Sequence, residues 1–168
     1  NYDTSYDQVR KAMITGYERG RGLPTAGFAA GPCLLKDTIQ LIALTGNNFQ
    51  LGQAAMLANE GLPNFIVEML KKENDLTDLT IGILGMAFKA DIDDIRDSLS
   101  YKLGKLLRFE GATVMYSDEF ASDPTFVTKD DLLAQSDIVV VGVPHSKYRG
   151  ISWPSGVKVV DLWGITHG

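Results

Sequence analysis

From residue 79 onward the chain alternates short runs that are apolar on both faces with amphipathic stretches, a pattern that few folds accept. Leu79-Thr80-Ile81-Gly82-Ile83-Leu84-Gly85 reads as a buried strand entering a glycine turn. Further strands are expected at Thr113 to Tyr116, Ile138 to Val143 and Val157 to Leu162, with helices from about Ser98 to Phe109 and from Lys129 to Gln135. A strand apolar on both faces must be covered on both sides, and helices lying between successive parallel strands do this. The expected fold class is therefore α/β: a helical region followed by a Rossmann-like, doubly wound parallel sheet.

The helical region comes first. Asp3, Thr4 and Ser5 are good N-caps for a segment that repeats Val9, Met13, Ile14 and Tyr17 at helical spacing and stops in the breaker-rich Gly20-Arg21-Gly22-Leu23-Pro24. A loop to about Cys33, a helix from Leu34 to Thr45 and a longer one from Leu51 to Lys72 follow, the last kinked at Pro63. The apolar face from Leu51 to Leu70 is wider than one partner needs. A homodimer through the 51–72 helix would cover it, as would further parts of a larger parent protein. The polar break at Asn74 to Asp78 divides the chain into residues 1–75 and 76–168.

A net charge of −5 and a pI near 4.9 exclude a general nucleic-acid surface, which needs clustered Lys and Arg. No apolar run approaches a membrane span and no signal peptide opens the chain, so no membrane partner and a cytoplasmic location are expected. One cysteine and two histidines leave no cysteine-based zinc site and no expected metal. Cys33 itself sits where a turn feeds a helix carrying Lys36 and Asp37. A helix N-terminus and a nearby ammonium favour a thiolate, whereas burial would make the same residue a small hydrophobe. In a doubly wound sheet ligands bind beyond the carboxyl ends of the strands. Here those ends lead into the loops Gly85 to Asp97, Ser117 to Phe120, Pro144 to Tyr148 and Trp163 to His167. The first of these lacks G-x-G-x-x-G, and bulky Phe88 and Lys89 make it a poor dinucleotide turn.

Two separated motifs carry a resemblance. Gly31-Pro32-Cys33-Leu34-Leu35-Lys36-Asp37 resembles the G-G-x-C-x-x-K-D segment of the UDP-glucose/GDP-mannose dehydrogenase family. Gly85-Met86-Ala87-Phe88-Lys89, continuing through Asp94, Arg96 and Ser98, resembles its G-x-A-F-K-x-x-T-D-D-x-R-x-S signature. Ala30 stands where the first glycine of the pair is usual, and Ile92 where a threonine is common. Within that family the chain looks like the central helical domain, with dimerisation and the catalytic cysteine, and the C-terminal nucleotide-sugar domain; the N-terminal NAD-binding domain is expected to be absent from it.

The resemblance implies an NAD-dependent nucleotide-sugar 6-dehydrogenase of polysaccharide biosynthesis. Such an enzyme oxidises the C6 alcohol of a UDP- or GDP-hexose to the uronate in two hydride transfers, through a thiohemiacetal and a thioester on cysteine. Carried over, Cys33 is the nucleophile. Asp37 orders water or a neighbouring amine, the alternative being a carboxylate that satisfies the first helical turn. Gly31, Phe88 and Lys89 contact the nucleotide sugar, with UDP-hexose favoured. Arg19, with Arg21 competing for the position, reaches a neighbouring subunit's sugar site. Lys36 and Arg96 touch NAD, the alternatives being an exposed helix lysine and a pair of Arg96 with Asp93 or Asp97. Asp97 and Ser98 cap the next helix, His145 is a loop histidine, and Trp153 and Trp163 are packing residues. The chain by itself is expected to turn nothing over. The rival reading is a non-catalytic nucleotide-binding or dimerisation module of the same fold.

Overall fold

The computed structural model describes residues 4–166, so the candidate cap Asp3 and the loop residue His167 lie outside the described residues. Helix α1 spans Tyr6–Ile14 and is capped by Ser5, whose hydroxyl accepts from the Asp7 amide at 3.2 Å. It ends before Tyr17, and a 3₁₀ turn at Glu18–Gly22 takes over where helical spacing had pointed to more helix. Helix α2 spans Leu34–Leu44 and α3 spans Gln50–Lys71. Pro63 does not interrupt α3, and its buried ring lies at the start of the half of the helix that enters the core.

The sheet contains β1 (Thr80–Leu84), β2 (Thr113–Ser117), β3 (Ile138–Val141) and β4 (Lys158–Asp161), all parallel, in the order β2-β1-β3-β4. Helix α4 (Leu99–Phe109) connects β1 to β2, and α5 (Lys129–Gln135) connects β2 to β3. Alternation along each strand sorts its residues into two cores. Ile81, Ile83, Ile138 and Val140 face α4 and the buried part of α3, meeting Leu103, Leu107, Ile66 and Leu70. Leu84, Val139 and Val141 face the other way, onto Leu132 and Tyr148. Fully buried aliphatics of this kind contribute roughly 1.5–3 kcal/mol each.

The C-terminal half of α3 thus packs into the same core as β1, while Leu51, Leu57 and Phe65 of α3 and Leu44 of α2 remain exposed. The chain leaves β1 toward one edge and returns to pair β3 on the opposite side of β1, so the switch point lies between these two strands. Among the described residues no helix is long and apolar enough to cross a membrane.

Candidate functional site

The β1–α4 loop is the organising element. Gly85 closes β1 with φ +93°, and a Cβ there would meet Val143 at 2.5 Å, so only glycine lets β1 and the β3 turn approach this closely. The next amides, of Met86 and Ala87, point where a dinucleotide-binding sheet receives a phosphate. Here an internal carboxylate fills the place. Asp118, at the carboxyl end of β2, accepts through Oδ2 from Met86 N–H at 2.7 Å and Ala87 N–H at 3.0 Å. Its Oδ1 accepts from Phe120 and Ala121 at 2.8 and 2.9 Å. Burial alone would push this fully enclosed carboxyl up. The His145 bond and the Ala121, Phe120 and Met86 amides outweigh that penalty and hold it well below the usual carboxylate range.

His145 lies in the loop after β3, as expected, but inside it. It is fully buried, stacked on Phe120 with ring centres 4.8 Å apart and edge-on to Tyr148 at 5.2 Å. Its Nε2 lies 3.0 Å from Asp118 Oδ2, and its Nδ1 accepts from the Asp91 amide at 2.8 Å. The Asp91 carboxylate in turn accepts from the Ser146 amide and hydroxyl. Farther along, the Phe88 amide donates to Asp94 O, and the Ser98 hydroxyl donates to Ala87 O at 3.1 Å while capping α4. The loop is therefore laced to itself and to the ends of β2 and β3.

The segment leading to Cys33 sits on this loop. Gly31, at φ +135°, turns its Cα toward the Phe88 ring, where a Cβ would stand 3.1 Å from a ring carbon. Asn59 of α3 holds the segment from the other side, accepting from Ala29 N–H at 3.1 Å and donating to Ala29 O at 2.6 Å. Cys33 is exposed at the N-cap of α2, and the Asp37 amide donates to its carbonyl at 2.8 Å. The Asp37 carboxylate pairs with Lys36 at 3.1 Å instead of satisfying the first turn. That pairing raises the Lys36 pKa, and the charge of a Cys33 thiolate adds to the rise.

Arg96 pairs with Asp94 at 2.6 Å, not with Asp93 or Asp97. The Asp94 contacts, followed by the Cys33 thiolate charge, raise the pKa of this exposed guanidinium. Asp94 is held at about 2 by the Arg96 side chain and then its amide. A turn of this kind closes on the nearest carboxylate with free oxygens, and the Arg96 amide had already drawn Asp94 in at 3.0 Å. Lys89 is exposed and enters no ion pair among the described residues. Arg19 lies exposed in the 3₁₀ turn, beside an Arg21–Glu18 pair.

Two cavities border the loop. One, of about 390 Å³, lies between the Cys33 segment and α4 and is lined by Gly31, Leu34, Glu60, Ser98, Lys102 and Lys105 among others. The other, of about 310 Å³, lies off the carboxyl ends of β3 and β4, lined by Thr25, Ala90, Asp91, Pro144, Arg149 and Trp163 among others. Trp163 also donates its indole N–H to Gly142 O at 3.0 Å. No group of three or more His, Cys, Asp or Glu among the described residues is placed to hold a metal. Asp118, Asp91 and Arg149 carried no motif that singled them out, and Asn59 showed only as part of the Asn59-Glu60-Gly61 run between the two motifs. Their roles depend on contacts across 30 residues or more for Asn59, and on strand ends meeting for the others.

Comparison with known proteins gives concordant results. Residues 82–167 match the UDP-binding domain of the UDP-glucose/GDP-mannose dehydrogenase family. A UDP-glucose 6-dehydrogenase from Haloferax volcanii is 32% identical over 133 residues, which cover 72% of this chain and 31% of that protein. The chain spans about a third of the length of such relatives. Among solved structures, a UDP-glucose dehydrogenase from Pyrobaculum islandicum superimposes with a TM-score of 0.78 at 28% identity, over 95% of this chain and 40% of that one. A UDP-D-ManNAc dehydrogenase from Pyrococcus horikoshii shares the fold with a TM-score of 0.79 at 24% identity, over 95% and 40%.

Proposed function

This chain belongs to the UDP-glucose/GDP-mannose dehydrogenase family and carries its UDP-binding domain, and from that premise we propose that it forms the nucleotide-sugar half of an NAD-dependent, cytoplasmic 6-dehydrogenase. In this reading residues 1–75 supply the nucleophile and a dimer seam, and residues 76–168 hold a UDP-hexose. The observation that carries it is the seating of the Cys33 segment on Phe88 through Gly31, which joins the two motif-bearing loops in one site. Arg149 lines the cavity at the strand ends and exposed Lys89 precedes its lining residues Ala90 and Asp91, so the two supply cations for a diphosphate, with the hexose directed along the loop toward Cys33. Arg19 serves a partner subunit's site.

NAD, when bound, accepts the hydrides. The sheet gives it no pyrophosphate seat, because Asp118 already occupies the Met86 and Ala87 amides. Arg96 and Lys36, both more than half exposed, are the groups of this chain placed to touch it from the rim. The chain by itself should therefore reduce no NAD.

The work of Cys33 is covalent. Once the C6 alcohol has lost a hydride and a proton, Sγ adds to the aldehyde carbon, and the thiol proton ends on the carbonyl oxygen. The resulting thiohemiacetal loses a second hydride and its hydroxyl proton to give a thioester. Water then adds, the C–S bond breaks, and the carboxylate leaves with the thiol restored. Asp37, paired with Lys36 one turn after the sulfur, accepts the protons released and passes them to solvent, and the Lys36 ammonium donates to the departing sulfur. Calorimetric titration with UDP and GDP tests the binding half. UDP should bind, and Lys89→Ala should weaken it about tenfold or more, the loss of one charge-assisted bond. No UDP binding, or no effect of Lys89→Ala, would refute the assignment.

A further inference from the structure

We propose that His145, as a neutral imidazole protonated on Nε2, is a positioning residue that fixes the Met86–Asp91 segment, which carries Lys89 and lines the strand-end cavity with Ala90 and Asp91. The inference rests on the reading of Lys89 as a nucleotide contact. The segment is held at both ends. At its start, Asp118 Oδ2 accepts from Met86 and Ala87. At its end, His145 Nδ1 accepts from Asp91 N–H at 2.8 Å. A nitrogen that accepts an amide proton carries none of its own, so the ring proton must sit on Nε2, where Asp118 Oδ2 receives it at 3.0 Å. One carboxylate oxygen thus links both ends through the imidazole.

The ring has no freedom to turn away. Phe120 covers one face, Tyr148 meets it edge-on, and the residue has no exposed surface. Asp91 Oδ1 is 3.7 Å from Nδ1, too far for a hydrogen bond, and is instead engaged by Ser146. Lys89 itself has no ion pair among the described residues, so the held backbone on either side is what fixes the place of its Cα. Loss of the Nδ1 acceptor leaves the Asp91 end of the segment tied only through its side chain.

Conservative variants separate this role from space filling. Asparagine places an oxygen near Nδ1, and glutamine places a donor near Nε2. His145→Asn should keep UDP affinity within about threefold of the unaltered chain. His145→Gln should weaken it about tenfold, the worth of one hydrogen bond that holds the segment carrying a charge, and should speed hydrogen exchange at the Asp91 amide. Equal effects of the two variants on affinity, or Asp91 exchange unmoved in His145→Gln, would overturn the proposal. If the unaltered chain binds no UDP, the nucleotide reading fails, while Asp91 exchange still decides the role of His145. Imidazole nitrogen NMR of the unaltered chain gives an answer independent of variant folding: Nδ1 should resonate as an unprotonated acceptor, and a proton on Nδ1 would refute the assignment.

Discussion

Replacing Asp118 with asparagine probes the joint on which the site hangs. The substitution keeps shape and volume but turns one acceptor oxygen into an NH₂ donor. If the remaining oxygen serves Phe120 and Ala121, the new NH₂ faces the Met86 and Ala87 amides and His145 Nε2–H. His145 cannot escape by moving its proton to Nδ1, because Asp91 N–H already points there. A buried donor left without a partner costs about 1–3 kcal/mol, and here the Met86 and Ala87 amides and His145 Nε2–H all lose a charged acceptor. With some relaxation the loss should be about 3–5 kcal/mol, a large share of the roughly 5–15 kcal/mol that stabilises most domains. At about 2–4 °C per kcal/mol for a chain of this size, the midpoint of thermal unfolding should fall by about 6–20 °C near neutral pH.

The pH dependence has a definite sign. The folded Asp118 carboxyl lies well below its ordinary range, so its ionisation stabilises the fold fully above the unfolded value of about 3.9, and this contribution is lost as pH falls toward the folded value. The gap between Asp118→Asn and the unaltered chain should be constant from pH 7 to about 5 and should narrow below about 4. Thermal unfolding followed by circular dichroism across that range measures it. A variant within about 1 kcal/mol of the unaltered chain at pH 7 would show that Asp118 does not hold this joint, since ordinary surface changes already span about 0.5 kcal/mol.

Three other outcomes are expected. Gly31→Ala forces a Cβ against Phe88 at a φ that side chains avoid, so urea unfolding should show a loss of about 1–3 kcal/mol. Asn59→Ala removes both bonds to the exposed Ala29 peptide, with a stability loss near 1 kcal/mol and faster amide exchange at Ala29. Arg96→Ala should let the Asp94 carboxyl rise from about 2 only part of the way to its ordinary value, because the residue 96 amide still donates to it; carboxyl carbon NMR reads this directly.

The architecture was legible because it is written in local pattern. Ile81, Ile83, Val139 and Val141 alternate between two cores, so their strands had to be apolar throughout, and Ser98 capped α4 at the residue its type implied. The long helix across Pro63 was legible as well, because buried packing of Ile66, Val67 and Leu70 carries α3 past a residue that weakens an isolated helix. Cys33, Phe88 and Lys89 stood out through motif, and the fold brings the Cys33 segment onto Phe88. The burial of His145 and the role of Asp118 are not legible in sequence for one physical reason. A polar residue just beyond a strand looks solvated in sequence, and only strand order reveals that the ends of β1, β2 and β3 converge and enclose it. Arg96 chose Asp94 over its neighbours because the amide of the same residue had already fixed that carboxylate, a preference no charge count contains.

The central claim is that a nucleotide sugar lies between the β1–α4 loop and the exposed thiol, and the single cysteine of this chain makes the claim directly measurable. The rate of iodoacetamide alkylation at Cys33 can be followed by intact mass with no added ligand, with saturating UDP and with saturating UDP-glucose. UDP-glucose should slow alkylation severalfold, while UDP, which lacks the hexose, should protect much less. Equal alkylation rates under all three conditions, with calorimetry confirming that UDP-glucose is bound, would contradict the claim.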